Sequence, residues 1–263
     1  MKSKGFSKLL IIGAILLAVV FGLFFFANKG YKFPKEINSK DVDLIQLNAP
    51  EKGQKIATVD TTEGTFKIVL YEKEAPATVA HFIKLVNDGY YDGTYVYKIA
   101  KDNDGKGQYF QGGTKKQDGF VLDTKNKKKD GFDQNLYDIE HTSIDVERSK
   151  NLWPIKGAIV STGIDSKGIG TFILGINSLN FDDKLKSQLN EMVEKKKANK
   201  DIVDAFLDKG GVPNIPYNIT IFAQVYEGMD SYEKIFDVDT DKKSGAPKEA
   251  VKINKITLST YGE

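Results

Sequence analysis

Short runs of alternating apolar and polar residues, each closed by turn residues, dominate the chain from Lys55 onward and leave it few folds. The clearest is IATVDTTEGTFKIVLY (Ile56 to Tyr71), which alternates on both sides of Glu63-Gly64 and puts Phe66, Ile68 and Leu70 on one face. Successive side chains of a strand point to opposite faces, so two such runs about a glycine-containing turn predict a β-hairpin. Similar runs follow at Thr94 to Ile99, Gln108 to Gln111, Ala158 to Ser161, Thr171 to Leu174, Ile219 to Tyr226 and Val251 to Leu258. Helices are few. Pro76 and Thr78 start one, Val79, Phe82, Ile83 and Val86 give it an apolar stripe, and Asn87-Asp88-Gly89 stops it. Many short strands with few helices predict a mainly β barrel or sandwich, and no fixed-period repeat supports a solenoid or propeller.

Two stretches break the pattern. Lys115 to Asn135, rich in Lys, Asp, Gly and Asn, predicts an exposed loop. Residues 181–209 instead read as a helical insertion of two short helices, with Leu185, Leu189, Met192 and Val193 on one face and Ile202, Val203, Phe206 and Leu207 on the next, ended by Gly210-Gly211. The N-terminus sets an expectation of compartment. Residues 9–27 run for about nineteen positions without a charge, the length a transmembrane helix needs, and end in Phe24, Phe25 and Phe26 rather than in small residues suited to signal cleavage. A retained anchor is expected, with residues 1–8 as a short cytoplasmic tail, 28–54 as a tether, and 55–263 as a domain on the extracytoplasmic side. Lys29, Lys32 and Lys35 weaken the charge contrast across the span.

Composition narrows the chemistry. The 263 residues carry 38 Lys+Arg against 36 Asp+Glu, a net +2 that argues against a nucleic-acid partner. With no cysteine, disulfides, thiol nucleophiles and Cys-ligated zinc are excluded together. Arg148 is the only arginine. His81 and His141, sixty positions apart, make no case for a metal, and no cofactor is expected. DVDTDK (Asp237 to Lys242) has the carboxylate spacing of a calcium loop, but Lys242 and Lys248 stand where glycine and glutamate are needed, so a polar turn is expected. Gly168 and Gly170 lack the third glycine of a dinucleotide fingerprint, Ile173 standing in its place. Lys127 to Lys129 read as a solvated run that could attract an anionic surface.

Five local words, in order, resemble the cyclophilin-type peptidyl-prolyl isomerases between Lys55 and Leu258. They are EAPATVAHFIKLVNDGYYDGT (Glu74 to Thr94), YFQGGT (Tyr109 to Thr114), GAIVSTG (Gly157 to Gly163), TFIL (Thr171 to Leu174) and IFAQVYEGMDSYEKI (Ile221 to Ile235). The resemblance implies a closed eight-stranded antiparallel barrel capped by two helices, the second near Ser231 to Phe236. It also implies catalysis of X-Pro rotation, with proline-containing unfolded or newly exported polypeptides as partners.

That reaction faces a barrier of about 18–20 kcal/mol from the double-bond character of the C–N bond, and X-Pro bonds exchange unaided over tens to hundreds of seconds. It needs an apolar seat for the proline ring, donors for the flanking carbonyls and a cation near the prolyl nitrogen. In the family the cation is an arginine. Here the Phe-His-Arg triplet falls on Val96, Tyr97 and Lys98, so Lys98 becomes the catalytic candidate, and the family's Phe, Met and Gln fall on Gln108, Tyr109 and Gln111. Gln111 is the second catalytic candidate. Tyr109, Thr162, Gly163 and Phe172 are the substrate-binding candidates, Gly170 replaces a second glutamine and Ile219 a late histidine. An ammonium keeps the charge of a guanidinium without its planar fork. Two readings therefore follow: an isomerase assisting folding of exported chains, or a cyclophilin-fold binding or chaperone module with little catalysis. The insertion is expected either to wall or lid the proline pocket or to sit as a helical pair outside the barrel.

Overall fold

The computed structural model describes residues 41–117, 133–162, 170–213 and 219–263, excluding the side chain of Phe172. The candidate span 9–27, residues 28–40 of the tether, most of the lysine-rich loop and Gly163 lie outside these residues. Among the described residues no helix is long and apolar enough to cross a membrane.

Eight strands form the domain: β1 (Lys55–Thr61), β2 (Gly64–Leu70), β3 (Thr94–Lys101), β4 (Gly107–Thr114), β5 (Ala158–Thr162), β6 (Phe172–Ile176), β7 (Thr220–Glu227) and β8 (Val251–Thr260). They close in the order β1-β2-β7-β5-β6-β4-β3-β8, with β8 returning to β1 and every pair antiparallel. The choice left open by strand periodicity is thus a barrel. Alternation fixes its inside, where Val59, Phe66, Ile68, Val96, Ile99, Phe110 and Ile159 are all buried in one core. Eight strands enclose a space that side chains just fill. A cavity lined by Val59, Phe66, Ile68, Val96, Phe110 and Ile159 inside the barrel, about 20 Å³ and apolar, has room for about one water molecule. That cavity is too small for a proline ring, so the outer face is where peptide chemistry is sought.

Two helices close the barrel. Helix α1 (Pro76–Asn87) buries Val79, Phe82 and Leu85, with Phe82 5.1 Å from Phe222 and 5.5 Å from Tyr91 between ring centres. Its N-cap, Ala75, offers no side-chain acceptor. Glu147 supplies one instead, accepting from the Ala77 and Thr78 amides at 2.9 and 2.8 Å and from the Thr78 hydroxyl at 2.7 Å. A carboxylate there satisfies orphan amides and complements the positive end of the helix dipole. The other closing helix, Met229–Asp237, buries Tyr232, Ile235 and Phe236, and Tyr232 donates to the Ile176 carbonyl at 2.8 Å.

Between them in the chain, among the described residues, lie three further helices. Helix α2 (Gln134–Glu140) begins inside the stretch that composition assigns to a loop, because Asp133 accepts from the Leu136 amide at 2.9 Å and caps it. The insertion holds the expected pair, α3 (Asp183–Glu194) and α4 (Lys200–Lys209), capped by Asp182 and Asn199, which makes Met229–Asp237 α5. One expectation needs revision. Packed structure begins before Lys55: Gln46 and Pro50 are buried, and a 3₁₀ turn occupies Ile45–Leu47. A tertiary dock needs no periodicity, which is why a stretch without a pattern can still be ordered.

Candidate active site on the outer barrel face

Strand register brings the two catalytic candidates together. Lys98 of β3 stands directly across from Gln111 of β4, and Gln111 from Leu174 of β6, which pairs in turn with Val160 of β5. The next residues, Ile99, Phe110 and Gly175, form the inward row, so Lys98, Gln111 and Leu174 share the outer face. A second outward row joins Ala100, Tyr109 and Ile176. Leu174 and Ile176 belong to an apolar cluster outside the barrel against which Tyr109 packs. Leu174 and Ile176 are themselves buried, so of this apolar set the half-buried Tyr109 is what stands beside the charge and the amide, an aromatic face of the kind a prolyl ring packs on.

A β-bulge sets this register. Val96 pairs with Gly112 and Lys98 with Gln111, so two steps along β3 match one along β4 and Tyr97 is the additional residue. Without it, alternation would turn either Val96 out of the core or Lys98 into it. Burial raises the Tyr97 phenol well above its ordinary value, with Tyr109 adding to the effect, and burial raises Tyr109 as well. Both phenols are therefore neutral near pH 7. The Lys98 stem is bounded on the other side by the 239–247 turn. The Ile99 amide donates to the Gly245 carbonyl at 2.8 Å, and a Cβ on Gly245, whose φ is +75°, would lie 3.3 Å from Lys98 Cγ and 2.8 Å from the Ile99 carbonyl. Only glycine suits that approach. Asp241 holds the turn by accepting from the Ser244 amide and hydroxyl and the Lys243 amide, bonds that pull its carboxyl below the usual range. The sequence DVDTDK accordingly leads into a turn, with its last carboxylate, Asp241, in use. Among the described residues neither Lys98 nor Gln111 has an ion pair or side-chain hydrogen bond, and both are half-buried.

The family model described as cyclophilin type peptidyl-prolyl cis-trans isomerase/CLD matches residues 56–258. The chain belongs to this family. It is 26% identical over 229 residues to a putative bifunctional phosphatase/peptidyl-prolyl cis-trans isomerase of Streptococcus pyogenes, covering 85% of this chain and 42% of that protein. It thus spans less than half of the streptococcal relative. A putative peptidyl-prolyl cis-trans isomerase of Staphylococcus aureus is 25% identical over 193 residues, covering 72% of this chain and 85% of that one. Among solved structures, a Cryptosporidium parvum cyclophilin-type isomerase matches with a TM-score of 0.50 at 17% identity, covering 79% of this chain and 98% of that one. A second structure of that protein, in the presence of the dipeptide Ala-Pro, matches with a TM-score of 0.50 at 18% identity, covering 78% and 99%. These structures share the fold.

On this cyclophilin barrel the remaining candidates divide. Thr162 ends β5, half-buried, across from Phe172, which opens β6. The Phe172 side chain and all of Gly163 lie outside the described residues. Gly170 shows why the family's second glutamine is missing. A Cβ there would lie 2.3 Å from the Thr142 carbonyl, since the segment after α2 runs against it. Ile219 packs on the outer apolar cluster and supplies no donor. Sequence reasoning did not assign Tyr97, Ala100, Leu174 or Ile176 to this face. The bulge hides Tyr97, whereas Leu174 and Ile176 could have been found from their alternation with Ile173 and Gly175.

Proposed function

We propose that this chain is a peptidyl-prolyl cis-trans isomerase that binds extended X-Pro segments across the outer face of β3, β4 and β6. The pairing of Lys98 with Gln111 beside the half-buried Tyr109 carries the reading. The ammonium near the prolyl nitrogen favours its pyramidal form, in which the lone pair no longer conjugates with the carbonyl. The Gln111 amide orients a flanking carbonyl, and the Tyr109 ring seats the proline. No bond forms to the protein and no cofactor is required. The Ala-Pro dipeptide present with the Cryptosporidium relative supports a proline-containing substrate.

The test is a prolyl-peptide exchange assay on the purified chain. Wild type should catalyse exchange, and a Lys98→Ala, Gln111→Ala double variant should lose most of that activity. Equal rates would leave the alternative, a binding or chaperone module in which Lys98 holds substrate without lowering the barrier. The ammonium in place of a guanidinium is the observation favouring that alternative.

We further propose that residues 9–27 anchor the chain and that the barrel works outside the cytoplasm on newly exported polypeptides. The uncharged run and its aromatic end support this. Protease added to intact cells should digest the barrel. Survival in intact cells with digestion after lysis would place it inside and end this reading.

A further inference from the structure

We infer that the α3–α4 insertion is a clamp for the segment that precedes the barrel, fixing the point at which the chain leaves the domain. The insertion does not hang free. Its end pairs with the stretch before β5: the Val212 amide donates to the Pro154 carbonyl at 2.9 Å, the Lys156 amide to the Gly210 carbonyl at 3.1 Å, and Ile155 bridges Gly211. Ile202, Ala205 and Phe206 of α4 then form a small core with Ile155, separate from the barrel's, on which Val42, Leu44 and Trp153 pack. The segment 42–45 is gripped on two sides, since Ile45 packs instead on the apolar cluster outside the barrel.

Gln46 gives the grip its register. Its Nε2 donates to Gln224 Oε1 of β7 at 2.8 Å, and its Oε1 accepts from the Trp153 amide at 2.6 Å. Gln224 in turn donates to the Lys156 carbonyl at 2.8 Å. Gln46 and Gln224 are both buried, so sliding the segment by one residue would leave a buried carbonyl oxygen and an amide without partners. The Asp43 amide adds a bond to Asn151 Oδ1 at 3.0 Å. Apolar contacts supply the adhesion and the glutamine selects one position, which together make a specific dock.

A segment held from Val42 onward cannot serve as tether. With residues 9–27 as the anchor proposed above, the chain between anchor and dock shortens to about fourteen residues, whose reach cannot exceed about 50 Å. The clamp therefore fixes, on the barrel itself, the point near Val42 at which the chain leaves the domain. This inference does not rest on the isomerase reading.

Trp153 is the only tryptophan and sits in the clamp, so its fluorescence reports docking directly. The experiment compares the full chain with Gln46→Leu and Phe206→Ala by tryptophan emission, amide exchange and prolyl-peptide assay. Both variants should shift the emission to the red and speed exchange of the Asp43, Ile45 and Leu47 amides at least tenfold. Amides of β2 should stay protected, which shows that the barrel remains folded, and KM should stay within twofold. Unchanged exchange at residues 43–47 in both variants would overturn the clamp. So would a KM change above fivefold with that exchange unaltered, because the insertion would then act on substrate. Absence of isomerase activity in the wild type would sink the proposed function and leave the clamp readouts intact.

Discussion

Replacing Lys98 by methionine removes the ammonium while keeping an unbranched stem of similar length against Gly245, and so isolates the charge. A preorganised donor aimed at developing charge in a water-excluded site is worth about 2.7–4 kcal/mol. Lys98 is only half-buried and is one mobile point charge, so we place its share near 2 kcal/mol. At about 1.36 kcal/mol per decade, this is a loss of about 30-fold in kcat/KM. Gln111→Ala removes a neutral hydrogen bond worth about 1 kcal/mol, or about fivefold. Because the two face each other across β3 and β4, their effects should couple, and the double variant should lose less than the product of the two. Lys98→Arg tests the other side of the argument. The stem is unchanged where Gly245 crowds it, and the guanidinium adds planar donors, so kcat/KM should rise by about three- to tenfold. The assay is catalysed exchange of a prolyl peptide, by coupled cleavage or by NMR. A Lys98→Met variant within twofold of wild type would refute the electrostatic account. An Lys98→Arg variant slower than wild type would show that the face is built around an ammonium and that the missing fork is no deficit.

Glu147→Ala strips the α1 amino end of the acceptor for two amides and a hydroxyl and should cost about 1–2 kcal/mol. Glu147→Gln keeps one acceptor oxygen and loses the charge near the dipole, so it should fall between alanine and wild type. Urea unfolding at constant m-value measures both, and an alanine variant as stable as wild type would remove the capping assignment. His81 carries a stability slope with pH. Burial, with Lys84 contributing, lowers its pKa, and its Nε2 is buried without a partner among the described residues. Below about pH 6.5 the unfolded chain therefore binds a proton that the folded chain refuses, and this part of the stability is lost as pH falls. Melting temperatures of wild type and His81→Gln should diverge between pH 7.5 and 5.5, with wild type losing more. Parallel profiles would count against it.

The split between what the sequence revealed and what it concealed follows the range of the interactions. Strands, α1 and the paired insertion helices announce themselves through period and caps because those signals are local, as with Phe66, Ile68 and Leu70 or Asn199 before α4. The pairing of Lys98 with Gln111 was accessible once the two strands were placed beside each other by family resemblance. The bulge at Tyr97 that makes this pairing face outward was not, since one extra residue alters no composition and no period. The clamp was less visible still. Gln46 reaches Gln224 across 178 positions and Trp153 across 107, and a glutamine in an aperiodic stretch has no marker separating a buried register pin from a solvated side chain. Gly170 shows the same limit from the opposite side. Its loss of the family's glutamine reads as simple divergence until the Thr142 carbonyl is found in the space a side chain would need. The departures from the family pattern thus have different origins. Gly170 is dictated by a neighbouring segment, whereas nothing described around Lys98 forbids an arginine, so the lysine there is open to direct replacement and the Lys98→Arg rate measures what that choice does to catalysis.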